Sequence, residues 1–278
     1  MRGKVTGGNA SGKQRSVTVG STSGKSRRER KPLTPAARRA YGLGFGVFLI
    51  FLWAVLAALT DNSFVLPGPL EVGAALAEHR AEIFLVHFPA TMEVVLYGGL
   101  LSILIGAAFA VLMDAFPLVE RALYPILTVT QTIPVMCVAP VFVLWLGYSV
   151  QMRVLVVVLV NFFPVTVNLF DGLHAADGER IELMNSYGAS KWQTFIKLKF
   201  PSSLPAFFSA LHVAVPWAVV GAAVAEWLGA ENGLGTYSKS CMMQLDAAGL
   251  LAPLFVLTAA ALFLNGILTL IERRVVNW

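Results

Sequence analysis

A serine and a histidine lie three residues apart in an apolar stretch, at Ser209 and His212, and this spacing puts both on one face of a helix. A hydroxyl beside an imidazole is the start of a nucleophile and base pair. Hydrolysis also needs a group that orients the histidine, or else paired carboxylates or clustered metal ligands. The apolar stretches contain no acidic pair, and His212 is the only histidine well inside them. We therefore predict that the chain is not an enzyme and has no catalytic residue, metal or cofactor of its own.

Two segments near the start of the chain resemble the glycine-rich loop that holds nucleotide phosphates. They read GGNASGKQ at Gly7–Gln14 and VGSTSGKS at Val19–Ser26. The first has Gln14 where a magnesium-binding hydroxyl is needed, and the second has Val19 in place of the leading glycine. Neither segment follows a predicted strand or opens a predicted helix. We therefore predict no nucleotide site in this chain.

The composition is that of a membrane protein. Hydrophobic residues make up 56% of the 278 residues and charged residues only 13%, which does not fit a water-soluble domain. About 20 apolar residues in a helix cross the hydrocarbon layer, and a helix satisfies its own backbone hydrogen bonds there. We predict an all-α polytopic protein with six transmembrane helices, at Leu43–Leu59, Thr91–Met113, Ala122–Leu146, Met152–Phe170, Leu204–Leu228 and Leu250–Ile271.

The basic residues are divided unevenly between the two sides of these spans. Eleven of the 21 lysines and arginines precede Tyr41. If the N-terminus is cytoplasmic, 18 of the 21 lie inside and 3 outside, which is the asymmetry that the positive-inside rule describes. Both termini are therefore predicted to be cytoplasmic. Residues 1–40 are expected to be a disordered basic tail that attracts lipid headgroups rather than nucleic acid, and residues 41–278 form the transmembrane domain.

Several residues inside the spans are candidates for a translocation path. Prolines bend helices, and bent helices can surround a cavity; Pro134 is one of six such prolines. Polar side chains at this depth either bond between helices or line a watery path. Both interpretations remain open for the four polar residues that need partners beyond their own helix, which are Gln131, Asn161, Asn168 and His212.

Charged residues in the spans allow two further expectations. Glu226 lies near the outer end of the fifth predicted span, where its carboxylate is expected to reach the interface. No basic residue is expected to be buried in the spans, which disfavours a membrane site for an anionic solute.

The polar insert between the fourth and fifth spans, residues 171–203, has the signals of two short helices. Asp177 is placed to cap the first helix, and Gly188 to end it in the left-handed conformation. Ser190 and Gln193 fit a capping box at the start of the second helix.

We expect Pro201 and Pro205 to end the second helix, and the side that carries Trp192 and Phe195 to rest on the membrane domain. An amphipathic loop lying at the headgroup interface would fit the same pattern.

Within this insert, the run ELMNSYG at Glu182–Gly188, followed by Pro201 and by Leu204-Pro205, resembles the coupling loop of binding-protein-dependent ABC transporter permeases. Leu183 and Met184 stand where that loop has two alanines. Further segments resemble permeases of the nitrate, sulfonate and taurine group, among them LPGPLEV, QTIPVMCVAPVFVLWLG, NFFPVTVNLFDGL and AEWLGAENGLG. Within the group, YGASKWQTF and FPSSLPAFFSAL are most similar to members for pyrimidine thiamine precursors or riboflavin.

The resemblance implies a type I ABC importer permease fold and a homodimer in the bacterial inner membrane. It also implies two cytoplasmic ATPases, which bind the ATP, and an external solute-binding protein. It assigns contact with the ATPase to the bend of the insert, at Glu182, Ser186, Tyr187, Gly188, Ala189 and Ser190.

The implied cargo is a small solute, and a pyrimidine thiamine precursor or similar heterocycle is favoured over a sulfonate, taurine or nitrate. A secondary transporter that works without an ATPase is the alternative class, but it would not explain the polar helix–turn–helix.

Overall fold

The computed structural model describes residues 35–60, 62 and 64–276, and every regular element within them is a helix. This confirms the all-α prediction. Residues from Phe48 onward form one compact unit. The predicted tail, residues 1–40, lies mostly outside the described residues. Its last six residues are helical, because Pro35 suits the first turn of a helix and the alanines and arginines after it are good helix formers.

The helices follow one another with short connections. They are α1 (Pro35–Thr60), α2 (Pro69–Glu78), α3 (Arg80–Ala115), α4 (Pro117–Thr130), α5 (Val135–Leu146), α6 (Val150–His174), α7 (Gly178–Ser186), α8 (Lys191–Gly229), α9 (Leu234–Met243) and α10 (Ala247–Val275).

Four helices of the described chain, α3, α6, α8 and α10, are long and apolar enough to cross a membrane, with 36, 25, 39 and 29 residues. They correspond to the second, fourth, fifth and sixth predicted spans. A fifth span is obtained if α4 and α5 are counted together. The first predicted span, Leu43–Leu59, falls in α1, whose apolar part is the shorter segment Gly44–Thr60. The count of six therefore remains a prediction.

The third predicted span, Ala122–Leu146, is not one continuous helix. Its two halves, α4 and α5, are bent by 100° at the break between Thr130 and Val135. Pro134 has an extended backbone there, with φ −63° and ψ 119°. A proline also disfavours the helical conformation in the residue before it, here Ile133. Hydropathy alone does not register this break because the residues on both sides are apolar.

A π-helical turn precedes a Phe-Pro pair twice. Ile83–His87 is followed by Phe88-Pro89, and Phe195–Lys199 by Phe200-Pro201. Proline has no N–H for the i→i−4 bond, and the wider turn lets the helix continue past it. The prediction that Pro201 and Pro205 end the second helix of the insert is therefore wrong. That helix and the fifth span are one helix of 39 residues, α8.

The core of the compact unit is built around α6, which packs against both α3 and α8. Glycines bring these helices close together. A Cβ at Gly98 would lie 2.6 Å from the Cβ of Val157, and one at Gly106 would lie 2.9 Å from the carbonyl oxygen of Phe162. α3 and α6 are thus in close backbone contact, which makes them a rigid support for the segments at their ends.

We expect Gly98→Ala to destabilise this core and its neighbour Gly99→Ala to be tolerated. The added methyl would overlap Val157 in the first variant, but would lie an ordinary 3.9 Å from Ala218 in the second. Overpacking of this kind costs about 1–3 kcal/mol of the free energy of unfolding. The measurement is the temperature at which purified protein in detergent loses its monodisperse peak. Equal temperatures for the two variants would contradict the described packing.

Candidate functional site

The polar insert folds as a helix, a left-handed turn and a second helix. Asp177 caps α7 through its side chain, as predicted. Gly188 ends this helix with φ 75°, and its amide donates to the carbonyl of Asn185 at 2.9 Å. The amide of Ala189 donates to the carbonyl of Met184 at 3.0 Å. This pair of bonds is a Schellman motif, so the predicted role of Gly188 in the backbone is confirmed.

The second helix of the insert begins at a capping box, also as predicted. The Ser190 amide donates to Gln193 Oε1 at 2.8 Å, and the Gln193 amide donates to Ser190 Oγ at 3.3 Å. Only Tyr187, Gly188 and Ala189 separate this cap from Ser186, the last residue of α7. The angle between α7 and α8 is therefore defined by local hydrogen bonds at both ends of a very short connection.

The bend carries three large apolar side chains that the rest of the described chain leaves exposed. Leu183 is 56% exposed, Tyr187 84% and Trp192 66%. We call these three residues the corner surface. Trp192 stacks on Phe195 at 5.8 Å, and Phe195 packs against the core. The expectation that this side rests on the membrane domain is thus right for Phe195 and wrong for Trp192, which reaches the core only through Phe195.

The residues predicted to couple to an ATPase lie together at this bend. Glu182 and Ser190 are exposed, and Ala189 is half-buried. The hydroxyl of Ser186 donates to the carbonyl of Glu182 in its own helix at 2.9 Å. The Ser186 hydroxyl therefore already has a hydrogen-bond partner in its own helix. The groups of the bend that remain exposed are the corner surface, the Glu182 carboxylate and the backbone.

An ion pair holds the base of the insert to the end of α3. Lys199 Nζ lies 2.8 Å from Asp114 Oδ1, and His174 Nδ1 lies 3.5 Å from the same oxygen. The Asp114 side chain is only 6% exposed. We call Asp114, His174 and Lys199 the anchor. Asp114 lies in the last turn of α3, His174 is the last residue of α6, and Lys199 lies in the π-helical turn of α8. The anchor therefore joins all three packed helices where the insert begins and ends.

The anchor was not found from the sequence. Asp114 and Lys199 are 85 positions apart, and neither belongs to a motif. The one available signal is a carboxylate at the very end of a long apolar run, and that signal is too common to identify a partner.

The polar residues predicted inside the spans have different surroundings. Asn161 is fully buried between α6 and α8. In the amide orientation that satisfies both neighbours, it donates to the Ala214 carbonyl at 3.0 Å and accepts from the Ala218 amide at 3.2 Å. Asn168 donates to the carbonyl of Pro164 in its own helix at 2.8 Å. Asn161 therefore has the interhelical bonds of the first interpretation, and Asn168 is satisfied locally.

His212 joins α8 to α10 and does not pair with Ser209. Its Nδ1 lies 2.9 Å from Asn265 Oδ1, and its Nε2 lies 2.8 Å from Glu272 Oε2. The Ser209 hydroxyl donates instead to the carbonyl of Pro205. The arrangement thus lacks a nucleophile next to the base. Asn265 and Glu272 were missed from the sequence because they lie 53 and 60 positions away.

Near the C-terminal end of α8, Glu226 is fully buried, so the expectation that its carboxylate reaches the interface is wrong. Its Oε2 accepts a 2.7 Å hydrogen bond from the amide of Gly235. The Leu234 amide in the same turn donates to Thr91 Oγ1 at 2.8 Å. A Cβ at Gly233 would collide with the Glu226 carboxylate. The glycine-rich turn therefore wraps around this carboxylate and keeps it from the surface.

The same turn also buries a basic residue. Arg153, in the first turn of α6, is 8% exposed, and its Nη1 donates to the carbonyl of Asn232 at 3.2 Å. The expectation that the spans bury no basic residue is wrong for Arg153. The turn that follows α8 covers the Arg153 side chain. The hydropathy of α6 does not predict this burial, because the covering residues belong to another part of the chain.

Two predicted path residues, Gln131 and Pro134, lie at the break between α4 and α5, and both are exposed. The break also borders a cavity of about 360 Å³.

Comparison with known proteins links this arrangement to membrane transport. The family model described as binding-protein-dependent transport system inner membrane component matches residues 98–277. The chain is 41% identical to the formylaminopyrimidine transport permease protein ThiX of Halalkalibacterium halodurans, over 84% of this chain and 94% of that protein. It is 29% identical to the riboflavin transport system permease protein RibX of Chloroflexus aurantiacus, over 84% and 87% of the two chains.

A solved structure shares the fold. The crystal structure of an amino acid ABC transporter with histidines covers 72% of this chain and 97% of its own, with a TM-score of 0.57 and 14% identity. At this identity the likeness concerns the fold alone.

Proposed function

This chain belongs to the family of binding-protein-dependent transport system inner membrane components, and from that membership we propose that it carries a neutral heterocyclic solute. As a member, it is the non-catalytic permease subunit of an ABC importer in the inner membrane, and it works with an ATPase and a solute-binding protein. Which surface meets the ATPase, and which solute passes, are the two points proposed here.

The corner surface is the ATPase contact. The observation that carries this proposal is the exposure of Leu183, Tyr187 and Trp192 on a polar insert whose base is held by the anchor. Exposed large apolar groups of this kind are typical of a protein interface, where aromatic side chains contribute most of the binding energy. The six predicted coupling residues belong to this contact.

In the proposed assembly, two copies of this chain form the path, and two ATPases bind the corner surfaces in the cytoplasm. Both termini then lie on the cytoplasmic side, in agreement with the distribution of basic residues. Closure of the ATPases moves each insert, and because α8 continues from the insert into the membrane, the motion reaches the path directly.

The proposed solute is a pyrimidine of the thiamine-precursor kind. The support is the 41% identity to a permease named for formylaminopyrimidine, with 29% identity to one named for riboflavin, another nitrogen heterocycle. Since Arg153 is buried under a loop at one end of α6, with Asn232 as a partner, it is not available as an anion site in the path.

A cysteine at the bend tests the ATPase contact. The variant Ala189→Cys, in a chain whose own Cys137 and Cys241 are changed to serine, is co-expressed with the ATPase. We expect the ATPase to co-purify in stoichiometric amount and to cross-link to position 189. Labelling of that cysteine from outside intact cells by an impermeant reagent would refute the proposed orientation, and ATPase-independent uptake would refute the mechanism.

A further inference from the structure

The break between α4 and α5 places irregular backbone inside an apolar span. A lipid-facing position would leave backbone groups without partners, so such breaks persist only where they are buried in protein or line a water-filled cavity. α5 begins at the break with no side-chain cap, since Pro134 offers none. Within the described chain, the amides of Val135 and Met136 have no hydrogen-bond acceptor. The first two amides of α5 are therefore unpaired at the break, and Val135 lines the cavity beside it.

One side chain at the break also has no partner. The hydroxyls of Thr128, Thr130 and Thr132 donate to carbonyls of Tyr124, Leu127 and Val129, which lie three or four positions earlier. The Gln131 amide makes no hydrogen bond with any described residue. Gln131 is therefore the polar side chain of the break that can still donate and accept a hydrogen bond.

Two aromatic side chains face the same cavity, whose volume is about 360 Å³. Phe163 of α6 is half-buried, and Trp217 of α8 is 52% exposed. The Trp217 indole N–H has no acceptor within the described chain. None of the described residues that line the cavity is charged. The cavity thus combines π faces, an indole donor and a two-way amide without any charge, a combination suited to a neutral planar ring with nitrogen and amide groups.

A groove of about 630 Å³ beside α8 and α10 also contains an indole, that of Trp227. Its two other polar side chains are already satisfied, because Asn265 bonds to His212 and the Thr258 hydroxyl donates to the carbonyl of Leu254. This groove therefore lacks the free side-chain amide that Gln131 supplies to the smaller cavity.

We propose that Gln131 and Trp217 form a solute-recognition site in the path, which takes a neutral planar nitrogen heterocycle. Gln131 pairs with the amide or ring-nitrogen edge of the solute, and Trp217 covers its face. A volume of about 360 Å³ lies at the small end of ligand pockets, which favours a one-ring solute. This inference rests on the proposed function and adds to it a site in the permease itself.

The test uses the complete transporter, with this chain, its ATPase and its solute-binding protein. Uptake of radiolabelled formylaminopyrimidine is measured per ATP hydrolysed. We expect Gln131→Leu and Trp217→Leu each to lower this ratio at least tenfold, and Trp217→Phe to lower it less because a ring remains. The matched control is Thr132→Val at the same break. The Thr132 hydroxyl donates only to the carbonyl of Val129, so this variant should transport like the wild type.

The outcomes separate the two proposals. If the wild type carries the pyrimidine and Gln131→Leu carries it equally well per ATP, the site is refuted and the function stands. If the uptake of both leucine variants falls only in proportion to the co-purifying ATPase, the residues are structural and the site is again refuted. If the wild type carries taurine and not the pyrimidine, the proposed solute class is wrong and the neutral site with it.

Discussion

Replacing Gly188 by valine is expected to lower solute uptake at least tenfold while the chain remains in the membrane. Gly188 has φ 75°, and a β-branched residue in this conformation costs on the order of 1–3 kcal/mol. The turn would then relax to another backbone conformation and break the Schellman bonds of Gly188 and Ala189. Because these bonds define the angle between α7 and α8, the corner surface would no longer be presented in its proper orientation. Uptake and the amount of co-purifying ATPase are the measurements.

The insert contains a matched control, Gly178→Val. A Cβ at either glycine would have open space around it, so neither substitution creates a clash. Gly178 is in the first turn of α7 and its φ is not positive. The two sites differ in backbone conformation, and Gly188 also lies in the proposed ATPase contact. If both variants transport equally, the geometry of the turn is not what couples the insert to the ATPase.

Breaking the anchor is expected to separate ATPase binding from transport. In Asp114→Asn the positive charge of Lys199 loses its partner, and removal of one member of a buried pair costs about 3–5 kcal/mol. The Lys199 side chain is 23% exposed, so partial access to water reduces this cost. The corner surface itself is unchanged. We expect the ATPase to co-purify normally, uptake to fall about tenfold, and stimulation of ATP hydrolysis by the loaded solute-binding protein to be lost.

Two further variants test whether the anchor acts as a unit. The double variant Asp114→Asn, Lys199→Met has no unpaired charge, so its defect should be smaller than the two single defects combined. The control is Arg180→Met. Its pair with Asp177 is exposed, with side chains 70% and 50% accessible, and such pairs contribute about 0–1 kcal/mol. The role of the anchor would be contradicted if the losses of uptake in the two single variants multiplied in the double variant. It would also be contradicted if Arg180→Met lost as much uptake as Asp114→Asn.

The local geometry of the insert could be predicted from the sequence because adjacent residues determine it. The cap at Asp177, the left-handed turn at Gly188 and the box of Ser190 and Gln193 depend on side chains and backbone within a few positions. The all-helical membrane class follows in the same way from long apolar runs. The family was also recognisable, since its motifs are contiguous stretches of sequence.

Two errors arose where the backbone responds to proline. The third predicted span is broken at Pro134, whereas α8 continues without a break through Pro201. The difference is a π-helical turn before Pro201, which absorbs the missing hydrogen bond. No local preference distinguishes the two cases, because the packing of the surrounding helices decides which response is stable.

The sequence by itself determined the membrane class, the helical content and the shape of the bend, all of which arise from neighbouring residues. Only the tertiary structure decided which distant groups meet: the Asp114–Lys199 pair, the burial of Glu226 under its glycine-rich turn, and the cavity between Gln131 and Trp217. A charged or polar group in an apolar helix must find a partner. Which partner it finds depends on how helices far apart in sequence pack together, and a linear pattern does not contain that information.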